Sequence, residues 1–237
     1  MNTIDNIIIG LFQAVILTFS IVMHEVAHGY TACLLGDNTA KYQQRLSLNP
    51  LKHVNPKFVA IIALGLVISQ LIPMLAGVGS IIIFASFMLL AKPVPINPSY
   101  FKDPKKGMAI TALMGPVFNI TFAFLFVFVL VALPDFIFRG EASKYLAWFF
   151  QILILFNIRL AVFNLIPVPP LDGSRVLFAF LPSKYYFMIM QYERYIMIAF
   201  IILVWSGSFD QMISAGSQNL LDYMLKAATF ILGKGGL

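Results

Sequence analysis

Cysteine and charged residues are both scarce in this sequence. Cys33 is the only cysteine in 237 residues, which excludes an intrachain disulfide and a zinc cluster held by thiolates. Charged residues make up 11% of the chain, against about a quarter in soluble domains. Long polar stretches are also missing, so we predict a single integral-membrane domain over residues 1–237 with no appended soluble module.

Apolar residues dominate instead, at 60% of the chain with a mean hydropathy of +0.88. The apolar runs are broken by Pro, Gly and charged loops at intervals that suit helices of about 20 residues rather than the strands of a barrel. This pattern predicts an all-α polytopic membrane helical bundle of about six segments, embedded in a lipid bilayer. The net charge of +6 lies in loops beside apolar runs, so we expect no nucleic-acid partner.

The apolar segments suggest an order of crossings. We predict helices at residues 7–35, 107–133, 145–166, 184–205 and 220–232, the last of them short or interfacial. The loops at 37–57 and 92–106 are rich in Lys and Arg, which predicts that both are cytoplasmic and that the N-terminus is outside. The 34 residues between them must return to the same side, so we predict a short helical hairpin or re-entrant stretch at 58–91. No removable signal peptide is expected.

The first of these segments contains the pattern H-E-x-x-H, formed by His24, Glu25 and His28. Two histidines four residues apart share one face of a helix, where both can bind a single zinc ion. The intervening glutamate is then placed to act as a general base. The alternative is a pair of hydrogen-bonded core histidines.

A catalytic zinc site normally has three protein ligands, and Asp172 is the best third candidate. It follows three prolines, at positions 167, 169 and 170, which prevent a regular helix at the end of the segment 145–166. Other candidates are less suitable, because Glu141 falls in the outer loop, Glu193 within a later segment and His53 in a basic loop. The alternative is that Asp172 pairs with Arg175 or caps the following helix.

Together with these residues, several blocks resemble the site-2 protease family of intramembrane zinc metalloproteases, in its compact branch without a PDZ or CBS domain. The blocks lie at residues 24–28 (HEVAH), 45–50 (RLSLNP), 92–98 (KPVPINP), 115–119 (GPVFN) and 164–173 (NLIPVPPLDG). The resemblance implies one zinc ion per chain, bound by His24, His28 and Asp172, with Glu25 as the catalytic carboxylate. It also implies regulated cleavage of single-span membrane proteins near the cytoplasmic face of the cell membrane. Asn55 departs from the aspartate expected in this branch.

Other residues carry secondary predictions. Asn119 and Asn164 are candidate catalytic donors to an oxyanion or to the substrate backbone, although an interhelical hydrogen bond explains Asn119 equally well. Gly115 with Pro116 predicts close helix packing. Arg159, inside an apolar segment, calls for a carboxylate partner, a water-filled cavity or snorkelling. The tripeptide 93–95 (PVP) is a candidate gate or strand edge for unwound substrate.

Two other functions fit parts of this pattern. A transporter or channel would use intramembrane His, Asp and Arg to relay protons or metal ions, but no inverted repeat is visible. A catalytically inactive relative that binds membrane proteins would have no need to retain all four residues of the site. The sequence does not indicate the substrate's identity or the oligomeric state.

Overall fold

A computed structural model describes residues 3–53, 64, 92–140, 143–205, 207 and 209–234. Within these ranges the chain forms helices and no strands, which confirms the predicted all-α class. The α-helices are α1 (Thr3–Leu34), α2 (Thr39–Tyr42), α3 (Pro50–His53), α4 (Pro104–Ala132), α5 (Ser143–Asn164), α6 (Asp172–Ala179), α7 (Ser183–Gln191), α8 (Glu193–Trp205) and α9 (Asp210–Ile231). Two short 3-10 helices cover Pro98–Tyr100 and Asp135–Phe138.

Three of the described helices, α1, α4 and α5, are long and apolar enough to cross a membrane. Their bounds agree with the predicted segments 7–35, 107–133 and 145–166 to within four residues. Two of the three begin or end at a recognisable signal. Gly36 follows α1 with a φ of +109°, a conformation that glycine adopts without strain. Asp103 caps α4, because its side chain accepts hydrogen bonds from the backbone N–H groups of Lys105 and Lys106.

These three helices pack together as a bundle in which α1 and α5 run in one direction and α4 in the other. Helix α1 lies against both α4 and α5. At the end where α1 and α5 begin, Asp5 pairs with Lys144 at 3.2 Å, and this end is called distal below. The opposite end, where α1 and α5 finish and α4 begins, is called proximal. Between the ends, the Asn157 side chain donates to Ser20 Oγ at 2.9 Å, one of the interhelical hydrogen bonds that hold membrane helices together.

The predicted segment 184–205 is not one straight helix. It consists of α7 and α8, which meet at Tyr192 at an angle of 59° and together form a broken span or a re-entrant loop. The break coincides with a polar stretch that includes Gln191 and Glu193. The Glu193 carboxylate pairs with Arg175 of α6 at 3.0 Å, so α8 begins at a side chain anchored to another helix.

The predicted segment 220–232 was too short. Helix α9 begins ten residues earlier, at Asp210, and packs along α5 and α4. Met224 of α9 shares a buried cluster with Val127 of α4 and Ile154 of α5. The predicted hairpin at 58–91 and the departure at Asn55 lie outside the described residues, apart from Leu64, as does Glu141.

Candidate metal centre

The two histidines of the pentad lie at the proximal end of α1 with their rings facing each other. His24 Nε2 and His28 Nε2 are 3.0 Å apart, and both side chains are buried. His28 Nδ1 lies 2.8 Å from the carbonyl oxygen of Thr111 on α4, so Nδ1 carries the proton and donates it there. The lone pair of His28 is therefore on Nε2. A hydrogen bond from the remote ring nitrogen is the usual way in which a metal-binding histidine is oriented.

Asp172 supplies a third ligand atom at the same point. Its Oδ2 atom lies 3.0 Å from His24 Nε2 and 3.3 Å from His28 Nε2. Ligand atoms about 2.0–2.1 Å from a tetrahedral zinc ion lie about 3.3 Å from one another, so these separations suit one ion. Two imidazoles and a carboxylate are also a donor set that zinc prefers. The three residues thus fit zinc in both spacing and chemistry.

The loop between α5 and α6 explains how Asp172 reaches the histidines. Prolines at 167, 169 and 170 lack the N–H groups that would continue α5, so the chain turns back at its end. Gly173 then packs directly on the backbone of Leu165 and Ile166, where a Cβ atom would overlap the Leu165 carbonyl group. Only glycine allows this approach, and it sets Asp172, the first residue of α6, beside α1.

Glu25 is 8% exposed and lies beside a segment from a distant part of the chain. Its Oε2 atom accepts a hydrogen bond of 2.9 Å from the backbone N–H of Val94. The prolines on either side of Val94 have no N–H, so this is the only donor in the tripeptide 93–95. That donor is directed at Glu25, and the tripeptide therefore offers no N–H for pairing with a substrate strand in this structure.

A cavity of about 280 Å³ adjoins these residues. Its walls come from α1, residues 93–96, α4, the end of α5, residues 170–175 and Met197 of α8. Asn164 is part of the wall, and its Nδ2 donates to Leu160 O at 2.9 Å, which leaves a second N–H. Asn164 thus lies at the site, and its role as a catalytic donor stays a prediction.

Asn119 is not part of the cavity wall. It lies four residues beyond Gly115 on α4, or about 6 Å farther toward the distal end. The residue is completely buried, and neither polar atom of its side chain has a hydrogen-bond partner among the described residues. The structure therefore gives no contact between Asn119 and the cavity, and its role as a substrate donor stays a prediction.

The remaining candidates have other partners or positions. His53 is buried, its Nε2 lies 2.6 Å from Ser47 O, and burial lowers its pKa, so a neutral ring donates to that carbonyl. Glu193 pairs with Arg175, so Arg175 is engaged away from Asp172. Arg159 is exposed on α5, and no ion pair to it occurs among the described residues, an arrangement that suits snorkelling.

Gly115 is a site residue whose importance the sequence indicated only in part. A Cβ atom at this position would lie 2.5 Å from Cε1 of both His24 and His28. Close packing was predicted here, but the packing partner is the pair of metal-binding rings rather than the backbone of a neighbouring helix. A small residue is required because the rings fill the space that a side chain would occupy.

We expect the substitution Gly115→Ala to lower the zinc affinity at least about tenfold, because the added methyl group displaces both rings from their Nε2 positions. Zinc content after dialysis against a graded series of chelator concentrations measures this change. Gly216→Ala is the matched control on α9, where a Cβ atom would meet only Val162 Cγ1, at 3.2 Å. Equal zinc affinities in the two variants would contradict the placement of Gly115 against the rings.

Comparisons with known proteins agree with this site. The model of peptidase family M50 matches residues 136–205, which include Asn164 and Asp172. The protein named "Putative zinc metalloprotease YwhC", from Bacillus subtilis (strain 168), is 34% identical over 216 residues that cover 89% of each chain. "Putative zinc metalloprotease Rip2", from Mycolicibacterium smegmatis, is 29% identical over 168 residues, or 70% of this chain and 56% of that protein. No solved structure matches significantly. The chain, a multi-pass membrane protein with a site built for zinc, therefore belongs to peptidase family M50, the site-2 protease family of zinc metalloproteases.

Proposed function

We propose that this protein hydrolyses peptide bonds of single-span membrane proteins within the membrane, near its cytoplasmic face. The observation that carries the proposal is the position of the site. His24 and His28 lie in a helix long enough to span the bilayer, and the acid between them lies in the wall of the cavity. A membrane-spanning substrate can approach such a site from within the bilayer. A soluble peptide would first have to leave the water.

Peptide hydrolysis at this site would require an unwound substrate. In an α-helix the N–H and C=O groups of each peptide bond are engaged in hydrogen bonds and covered by the neighbouring turns. A substrate helix would therefore have to unwind before one of its peptide bonds reached Glu25.

The residues of the chain suit the steps of peptide hydrolysis. Bound zinc supplies a Lewis acid that lowers the pKa of its water to about 7. Glu25 holds the Val94 N–H with Oε2, which leaves Oε1 to take a proton from water and deliver it to the leaving nitrogen. The second N–H of Asn164, on the cavity wall, is available to the carbonyl oxygen of the substrate.

The charge distribution supports the cytoplasmic orientation. At the proximal end, the connection that follows α1 carries Lys41, Arg45 and Lys52, and the chain around the start of α4 carries Lys102, Lys105 and Lys106. Loops rich in Lys and Arg are retained in the cytoplasm. We therefore infer that the site opens toward the cytoplasmic side of the cell membrane.

A direct test uses the purified protein in lipid vesicles with a panel of single-span membrane proteins. Fragment masses locate each cut, and the proposal requires cuts inside or at the edge of an apolar span. A soluble unfolded protein is included in every reaction. Cleavage of the soluble protein alone, with intact membrane proteins, would contradict the intramembrane function while leaving a zinc peptidase.

Arg45 is placed to position Glu25 from outside the cavity. Its guanidinium donates to the carbonyl oxygens of Lys52 and Lys92, the latter at 2.5 Å. The Lys92 N–H in turn donates to His53 O at 2.8 Å. These contacts fix the extended segment that contains Val94, and the N–H of Val94 holds Glu25.

We expect Arg45→Ala to lower kcat about 10–100-fold with little change in KM or zinc content, because the Val94 N–H is no longer fixed on Glu25. The kinetics are measured on any substrate found in the panel. Lys41→Ala is the control, since Lys41 is an exposed cation of the same loop. A loss of zinc from the Arg45 variant, or an equal loss of kcat in the control, would show that Arg45 does not act through Glu25.

A further inference from the structure

Helix α9 extends over the full length of the spanning helices. At the proximal end Ile213 packs with Phe163, near the end of α5. Met224 lies farther along in the cluster shared with α4 and α5. At the distal end Lys234 Nζ donates to the carbonyl oxygen of Val131 on α4. Because α4 and α5 are long enough to cross the bilayer, α9 lies at the same depth although its composition is too polar for it to count as a span.

The outward face of α9 carries a stripe of polar side chains. The stripe consists of Gln211, Gln218, Asn219, Asp222 and Lys226, all of them exposed. At 100° per residue they fall within an arc of about 100°, opposite the buried residues of the same helix. Asp222 lies near the middle of α9 and therefore near the middle of the bilayer. Ionisable and amide side chains at that depth are costly when they face lipid, so the stripe requires a polar covering.

We propose that the stripe is the contact surface between two copies of this chain. Two copies in one membrane share an orientation, so a two-fold axis along the membrane normal sets α9 parallel to its copy with equal residues at equal heights. Gln and Asn side chains both donate and accept, which makes such a face complementary to itself. Asp222 and Lys226 have opposite charges and differ in height by one turn, about 6 Å, a distance over which the long Lys226 side chain can reach Asp222 of the other copy.

Neighbouring features favour a second copy over an unrelated partner. Ser214 lies beside the stripe and Ala215 within it, both of them exposed, and small residues let membrane helices approach closely. A second copy brings the same donors, acceptors and opposite charges to the stripe. An unrelated protein would have to present a separate polar face that matches them. The described walls of the metal cavity include no residue of α9, so the contact leaves the site open. This inference is independent of the proposed function.

Disulfide cross-linking in native membranes tests the contact. Cys33 is first replaced by Ala, after which Gln218→Cys supplies one thiol per chain within the stripe. The matched control is Leu113→Cys, on an exposed position of α4. Gln218 and Leu113 lie eight and nine residues from the proximal ends of their helices, so both thiols have similar depth. The zinc content of each variant verifies the fold.

We expect a disulfide-linked dimer several-fold more abundant for Gln218→Cys than for Leu113→Cys after brief oxidation, and unchanged by added lipid. Equal yields, or a monomeric Gln218 variant, would overturn the proposal, because the stripe would then be covered by another part of the chain or by another protein. Charge reversal gives a second test. In the Gln218→Cys background, Asp222→Lys should lower the dimer yield, and Lys226→Asp added to it should restore the yield. A double variant that stays at the low yield would also overturn the pairing.

Discussion

Replacing Glu25 by Gln should lower the rate of substrate cleavage about 10²–10⁴-fold, the range for removal of a general acid–base group. The amide has the same shape, and its oxygen can still accept the hydrogen bond from Val94. It cannot take a proton from water, so only the chemical step is affected. The three metal-binding atoms are unchanged, and the zinc content should equal that of the unsubstituted protein.

The measurement compares cleavage in vesicles with zinc content on the same preparation. Glu141→Gln is the control, since Glu141 belongs to the connection between α4 and α5 and is remote in sequence from every site residue. Full turnover in the Glu25 variant would disprove the mechanism. Loss of zinc along with turnover would instead assign a structural role to Glu25.

The same variant separates the proposed function from its rivals. A transporter that relays protons or metal ions through the histidines and Asp172 has no need of a general base between them, so transport would survive the substitution. A relative that only binds membrane proteins would also be unaffected. Of these three functions, only cleavage would require Glu25.

The metal site could be predicted from the sequence because its ligands lie in rigid patterns. Four residues of helix bring His24 and His28 to one face in any fold. The prolines and the glycine around Asp172 restrict the backbone so strongly that its position at the end of a span could be predicted as well. The bounds of α1, α4 and α5 could be predicted from the apolar runs, because the thickness of the bilayer sets a length of about 20 residues.

Contacts between distant segments could not be predicted in this way. The Val94 N–H and the Glu25 carboxylate are 69 residues apart, and Thr111 is 83 residues from His28. Neither residue type is distinctive, because a backbone group makes each contact and any residue except proline carries an N–H. The three-dimensional packing of α1 against α4 and residues 92–97 decides them.

Helix α9 shows a different limit. Hydropathy measures the average composition of a segment, and the polar stripe lowers that average although the opposite face packs on the spanning helices. A segment with one polar face is then predicted as short or interfacial. The spacing of its apolar residues contained the correct information, since Ile213, Met224 and Ala228 lie on one face.

Replacing Asp172 by Asn should remove most of the bound zinc, with a loss of affinity greater than the about 10–100-fold typical of residues that only orient a ligand. The amide has the shape of the carboxylate but no charge, and it sets either a weaker oxygen donor or an N–H₂ group 3.0 Å from His24 Nε2. Two histidines would then hold the ion alone, one ligand short of the usual three. Cleavage should fall together with zinc content, in contrast to the Glu25 variant.

Asp103→Asn is the matched control for this change. Asp103 is half-exposed and caps α4, and asparagine caps helices as well as aspartate does. The control therefore makes the same chemical change with no effect on the fold or on zinc. The contradicting result is an Asp172 variant that keeps its zinc at every chelator concentration at which the control keeps its own. The two histidines and some other group would then bind the ion, and the assignment of Asp172 as the third ligand would be wrong.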